Sequence, residues 1–374
     1  MKKKGLFWKV ALFLLCQVVL AAVYWDYSYW DISPLNNAFE NVSASVCEGR
    51  KAQDVHIVYI TDKNYVYPTQ VSMYSAIKNK CPQTTYHFYI LTDGVDTKTV
   101  LKAFRPMKSD TVYINIIPQK RVLDLKFAKQ LAHISPTALL KFVIPEALPA
   151  VDRVIYFDSD TVIMKDLQDL YNTDLENKVA AAVADIATLD DKVYLKTLGY
   201  REKIYFNSGM LVLDLKKMRK KGMTQLLNKY ARSARLNYID QDAYNVVLRR
   251  QIKTLPYIYN CMSALHLDSW RSNRLVSYIA DKFFRSSIKA SAFMRMYTKQ
   301  VPFLARDIFK EVVVFHYFGD AKPWNSSGRF AKSQKYLFFK LWEQYAQEMK
   351  EEYGLKKKKV VYFDSDMLEN SFKE

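Results

Sequence analysis

Between Asp152 and Asp166 the chain reads DRVIYFDSDTVIMKD. Val154 to Phe157, with Val151 just upstream, form an apolar run that predicts a buried strand delivering Asp158 and Asp160 to its carboxyl end. In extended backbone residues i and i+2 point the same way, so both carboxylates face one side of the sheet edge. Two like charges held that close are costly unless a cation sits between them. A divalent metal is the simplest candidate, and Ser159 is small enough not to obstruct a ligand approaching it. A strand ending in a polar turn would show the same triplet, since Asp and Ser are common turn residues. The tail repeats VYFDSD at 361–366, so context has to decide.

That context is an alternation of strands and helical stretches. Val55–Thr61 predicts a first core strand, Pro68 to Lys80 an amphipathic helix ended by Cys81-Pro82, and Tyr86–Thr92 a second strand. Asp96 to Met107 reads as a helix, Val112–Pro118 as a third strand, and Val154–Phe157, Val179–Val183 and Met210–Leu213 as further strands. Val312–Phe315 is a late apolar strand, and Gln334 to Tyr353 a last amphipathic helix. Such alternation predicts a mostly parallel α/β sheet, with ligands at the carboxyl ends of its strands.

Several polar clusters fall at those ends. Asp62, Asn64 and Tyr65 follow the first strand and offer an acceptor, an amide and an aromatic face, as a nucleoside requires; an Asx turn explains the same residues. Asn207-Ser208-Gly209 interrupts the apolar run YFNSGMLVLDL, which suggests close backbone approach or ligand contact. Asp240-Gln241-Asp242 opens a helical segment, where carboxylates are also ordinary caps. His316 ends a strand and is followed by Gly319, Lys322, Pro323 and Trp324. Histidines at such positions are often satisfied core residues, but the glycine and lysine beside this one suit a phosphate.

The chain has 374 residues, of which 50% are hydrophobic, enough for one large or two modest domains. Its formal net charge of +18 favours acidic surroundings: anionic lipid, phosphorylated glycan, nucleotide or nucleic acid. No nucleic-acid module accompanies that charge, so a nucleic-acid partner is not expected. Basic residues cluster in KKMRKKG at 216–222 and from Arg271 to Lys289, either as a solvated helical surface or as a patch for anionic headgroups. Cys16, Cys47, Cys81 and Cys261 make no zinc pattern and leave one bridge open.

Lys2, Lys3, Lys4 and Lys9 precede or open an apolar run that, from Gly5 to Trp25, is about the length needed to cross a bilayer. Trp25, Tyr27, Tyr29 and Trp30 follow as an interfacial aromatic cluster. A retained anchor is favoured over a cleaved signal peptide, and the lysines place its N-terminus in the cytoplasm. Ser33 to Gln53 reads as a stem, with Asn41-Val42-Ser43 and Asn325-Ser326-Ser327 as glycosylation sequons.

The ordered series TDKNY, YFDSD, YFNSGMLVLDL, DQD and HYFGDAKPW resembles the family 8 glycosyltransferases over roughly Val55 to Trp342. The resemblance implies a GT-A fold: a single Rossmann-like, mostly parallel sheet flanked by helices, here with a basic helical C-terminal region and an N-terminal transmembrane helix. It implies a retaining transferase moving a hexose, galactose or glucose, from a UDP-sugar to a glycan or glycolipid acceptor at a membrane. Asp158, Asp160 and His316 would bind the metal, Mn²⁺ or alternatively Mg²⁺. Asp62, Asn64 and Tyr65 match the uridine segment, and Gly319 with Lys322 the diphosphate element. Lys141 stands where members carry a cationic donor contact, in a segment, SPTALLKF, that departs from the usual pattern. Asp185, Asn207 and Asp240 would meet donor-sugar hydroxyls, and Gln241 would lie near the anomeric carbon, with Asp240 as the fallback nucleophile.

The expected organisation is an anchor at 1–25, a stem at 26–53, a GT-A domain at 54–345 and a basic then acidic tail at 346–374. Catalysis would face a Golgi lumen in a eukaryote or sit at the inner membrane in a bacterium. A non-catalytic glycan-binding relative is the alternative. The joint presence of Asp158, Asp160, His316 and Lys322 argues against it.

Overall fold

In the strand beginning at Gln53, odd-numbered Val55, Ile57 and Tyr59 join one apolar cluster, while Val58 and Ile60 join another. A period of two thus splits the strand's side chains between two cores, one on each face of a sheet. The computed structural model describes residues 47–93, 97–119, 136–185, 188, 191–233, 236–262, 312–319, 322–324 and 337–355. Its main sheet has seven strands: β1 (Gln53–Thr61), β2 (Thr84–Asp93), β3 (Val112–Gln119), β4 (Arg153–Phe157), β6 (Ala180–Ala184), β7 (Phe206–Asp214) and β8 (Ile252–Thr254). Their order is β3-β2-β1-β4-β7-β6-β8.

The pairs β1–β2, β2–β3, β1–β4 and β6–β8 are parallel, as expected. Strand β7 runs antiparallel to both of its neighbours. Its run is apolar on both faces, so composition carries no direction. One expectation needs correction: there is a second sheet. Strands β5 (Thr161–Ile163), β9 (Cys261–Met262) and β10 (Val314–His316) pair in the order β5-β10-β9. The late apolar strand therefore joins two short partners, each too short to show periodicity in sequence.

Helix Val66–Lys78 packs on one face beside the long helix Leu337–Tyr353. On the other face lie the 3₁₀ stretch Pro136–Val143 and helices Leu215–Lys220, Met223–Ser233 and Ile239–Val247. Cys47 and Cys81 form a disulfide. Arg50 makes two hydrogen bonds to Asp169 (2.9 and 2.7 Å), so the chain is tied to the domain before β1 begins.

Among the described residues no helix is long and apolar enough to cross a membrane. The predicted anchor, both sequons, the Arg271–Lys289 patch and the VYFDSD tail lie outside the described residues.

Candidate active site

Strand β4 ends at Phe157, and the Asp158 N–H donates to the Gly209 carbonyl of β7 at 2.7 Å, which seats the triplet across the top of two neighbouring strands. The second sheet then brings the histidine. Strand β10 runs antiparallel to β5 with His316 opposite Thr161, and the Tyr317 N–H donates to the Asp160 carbonyl at 2.8 Å. One ligand atom each from Asp158, Asp160 and His316 lies within 4.8 Å of the others. His316 Nε2 stands 3.3 Å from Asp160 Oδ1 and 3.9 Å from Asp158 Oδ2. Two hard carboxylates and one imidazole are a donor set that a divalent cation fits.

Burial alone would push the Asp160 carboxyl up, but the Lys322 ammonium and His316 beside it hold it well below the usual carboxylate range. Lys322 also donates to the Tyr317 carbonyl at 2.7 Å. Across the site, Lys141 is buried, and its Nζ lies 3.0 Å from Asp158 Oδ1 and 2.5 Å from Asp240 Oδ2. Burial by itself pulls this ammonium down; the two carboxylates outweigh it and raise it. Lys141 thus clamps the Asp158 edge of the cluster to the first turn of Ile239–Val247.

Gln241, in that same turn, faces inward. Its Oε1 accepts from Asn207 Nδ2 and from the Ser208 N–H, both at 3.1 Å, and its Nε2 donates to Asp185 Oδ2 at 2.9 Å. Asp240 Oδ2 also accepts from Ser208 Oγ at 2.8 Å.

A cavity of about 280 Å³ opens onto this cluster. Of the residues singled out in sequence, Asp62, Tyr65, Lys141, Asp158, Asp160, Asn207, Asp240, Gln241, His316 and Gly319 line it. Asp185 and Lys322 lie one hydrogen bond behind that lining. Asn64 is not in the lining, and its N–H donates to Asp62 Oδ1 at 2.8 Å, an Asx turn that shapes the end of β1. Gly319 has φ +87°, the left-handed region that glycine adopts without strain.

Two residues that hold the cluster in place escaped the sequence reading. Tyr156 donates to Asp158 Oδ1 at 2.6 Å. It lies two residues before Asp158 and so on the same strand face, a signal that was available. Asn260, fully buried, holds His316 Nδ1 at 2.9 Å, and nothing in YIYNCMS marks it.

Gly209 passes directly behind His316. A Cβ there would fall 2.2 Å from the imidazole Cε1 and 2.8 Å from Nδ1. Gly209→Ala is therefore expected to displace the ring and weaken divalent-cation affinity about 10- to 100-fold, the range for disturbing a group that orients a metal ligand. Calorimetric titration with Mn²⁺ measures it; unchanged affinity would show that His316 does not take part.

A mostly parallel sheet with a carboxylate–imidazole cluster at one edge is a GT-A-like α/β arrangement. The crystal structure of the galactosyltransferase LgtC in complex with donor and acceptor sugar analogues has this fold, with a TM-score of 0.59 at 19% identity over 84% of this chain and 99% of that one. The bifunctional glycosyltransferase WbbM also has it, with a TM-score of 0.58 at 22% identity over 81% of this chain and 52% of that one. The glycosyl transferase family 8 profile matches residues 56–328, and the chain belongs to that family.

Among its relatives, a putative glycosyltransferase of Haemophilus influenzae is 26% identical over 214 residues, 56% of this chain and 64% of its own. The probable galacturonosyltransferase-like 4 of Arabidopsis thaliana is 29% identical over 210 residues, 52% of this chain and 58% of its own. The alignments thus span about three fifths of the length of these two relatives. A lipopolysaccharide 1,3-galactosyltransferase of Salmonella typhimurium is 23% identical over 299 residues, 76% of this chain and 77% of its own.

Proposed function

We propose that this chain is a metal-dependent retaining hexosyltransferase that moves galactose or glucose from a UDP-sugar to a glycan or glycolipid acceptor. The observation that carries the reading is the convergence of Asp158, Asp160 and His316 with Asp240 and Gln241 around one cavity. Asp158, Asp160 and His316 would hold a divalent cation, for which Mn²⁺ suits the mixed donors better than Mg²⁺. When bound, that cation neutralises charge on the diphosphate as the sugar–phosphate bond breaks.

The chain's own residues do the rest. Tyr65, which packs edge-on against Trp324 with centroids 6.1 Å apart, presents a ring to the uracil, and the Asp62–Asn64 turn meets the ribose. Gly319 lets the backbone approach the diphosphate, and Lys322 supplies a cation. Asp185, Asn207 and Asp240 orient the donor-sugar hydroxyls. The Lys141 ammonium and Ser208 hydroxyl engage Asp240, which dulls it as a nucleophile. Gln241 Oε1 already accepts two hydrogen bonds and an amide is a poor nucleophile, so a front-face transfer with Gln241 stabilising positive charge is favoured over a covalent intermediate.

Donor hydrolysis followed by proton NMR tests this. The α-hexose should form first from an α-linked donor, whereas a β-hexose would overturn retention. The Salmonella relative named as a lipopolysaccharide 1,3-galactosyltransferase supports the choice of galactose and of acceptor class.

For topology, residues 5–25 anchor the protein with its N-terminus in the cytoplasm and its domain across the membrane. The Cys47–Cys81 disulfide supports an oxidising side for that domain. Alkylation of the protein from its native membrane checks this: free Cys47 and Cys81 thiols would argue for a reducing compartment.

A further inference from the structure

Three buried side chains link His316 to Asp185 in an unbroken line of four hydrogen bonds. His316 Nδ1 meets Asn260 Oδ1 at 2.9 Å, and Asn260 Nδ2 donates to Asn207 Oδ1 at 2.8 Å. Asn207 Nδ2 donates to Gln241 Oε1 at 3.1 Å, and Gln241 Nε2 donates to Asp185 Oδ2 at 2.9 Å. All five residues are buried, and Asn260 and Asp185, fully so, lie behind the cavity lining that the other three share.

The line has one polarity, and β7 sets it. The Gly209 N–H donates to Asn207 Oδ1 at 2.9 Å, and the Ser208 N–H to Gln241 Oε1 at 3.1 Å. A backbone N–H can only donate, so neither amide can turn over without setting an NH₂ group against an N–H donor. With Asn207 Oδ1 fixed, Asn260 must present its NH₂ there and its oxygen to His316. An amide oxygen only accepts, so His316 carries a proton on Nδ1, which leaves Nε2, the atom that faces Asp158 and Asp160, as the ring nitrogen available to a metal.

We propose that Asn260 is a positioning residue that couples the metal ligand His316 to the donor-site glutamine Gln241 through this one-way relay. The proposal rests on the metal-dependent transferase reading above. Its two halves separate by mutation. Asn260→Leu removes both links. Asn260→Asp keeps an acceptor for His316 but replaces the donor to Asn207 with a carboxylate oxygen, and the two backbone N–H groups prevent the amides from turning over to accommodate it.

Mn²⁺ binding to the full chain is titrated by electron paramagnetic resonance, and kcat for donor hydrolysis is taken at saturating Mn²⁺ and donor. Asn260→Leu should weaken Mn²⁺ binding about 10- to 100-fold. Asn260→Asp should bind Mn²⁺ at least as tightly as wild type, because a carboxylate behind a ligating imidazole raises its basicity. Its kcat should nonetheless fall about tenfold, and no further in a Gln241→Ala background, because both changes break the same line.

Equal loss of Mn²⁺ affinity in Asn260→Leu and Asn260→Asp would reduce Asn260 to a space-filling role and overturn the relay. So would wild-type kcat in Asn260→Asp, or an effect fully additive with Gln241→Ala. A folded wild-type chain that binds no Mn²⁺ and cleaves no UDP-sugar would instead overturn the transferase reading beneath it.

Discussion

Asp160→Asn protein is expected to lose donor cleavage on the order of 10²- to 10³-fold, the range for deleting one preorganised electrostatic partner of a transition state. The amide keeps the shape and removes the charge that Lys322 and His316 both face. It also replaces an anionic oxygen of the candidate metal site with a neutral amide oxygen, so Mn²⁺ affinity should fall with turnover. Stability carries a second signature. The Asp160 carboxyl titrates well below its usual range in the folded chain, so its contribution is present in full above the unfolded value of about 4 and is lost as pH falls further. The mutant should lack that acid-side dependence in urea unfolding at graded pH. Near-wild-type turnover would remove Asp160 from the chemistry.

Lys141→Met is expected to lose about 3–5 kcal/mol of stability, the range for breaking a buried ion pair from one side. Lys141 is buried and stands between Asp158 and Asp240, so a neutral side chain of similar length leaves two carboxylates facing each other across its place. The Tyr156 ring, 4.8 Å from the ammonium, loses its cation as well. Denaturant unfolding measures the change. Lys141→Arg should recover part of the stability, limited by the larger planar head group. A loss below about 1 kcal/mol, typical of exposed pairs, would contradict the clamp.

Most of the fold was legible because its strands are apolar runs bounded by turn residues, and seven of them were predicted within a few residues. What escaped was short. Strands β5, β8 and β9 have two or three residues each, below the length at which a pattern exists. The candidate site was legible in Asp158 and Asp160, whose type and spacing suggest a cation, whereas His316 and Gln241 were placed through the family resemblance and not by residue type. Lys141 was located, but its tie to Asp240 depends on a pairing 99 residues apart that no local pattern encodes. Asn260 was invisible for a related reason. A buried amide has no periodicity and no preferred neighbours, and its meaning comes from the strand and histidine that the second sheet brings beside it.

Release of UDP is the most direct measure of the central claim. The full chain in detergent would be given UDP-galactose, UDP-glucose and other UDP-sugars, with Mn²⁺ or with EDTA. The expected result is release selective for one hexose, dependent on the metal and lost in Asp160→Asn. A folded chain that binds neither UDP nor Mn²⁺ would contradict a transferase built on Asp158, Asp160 and His316.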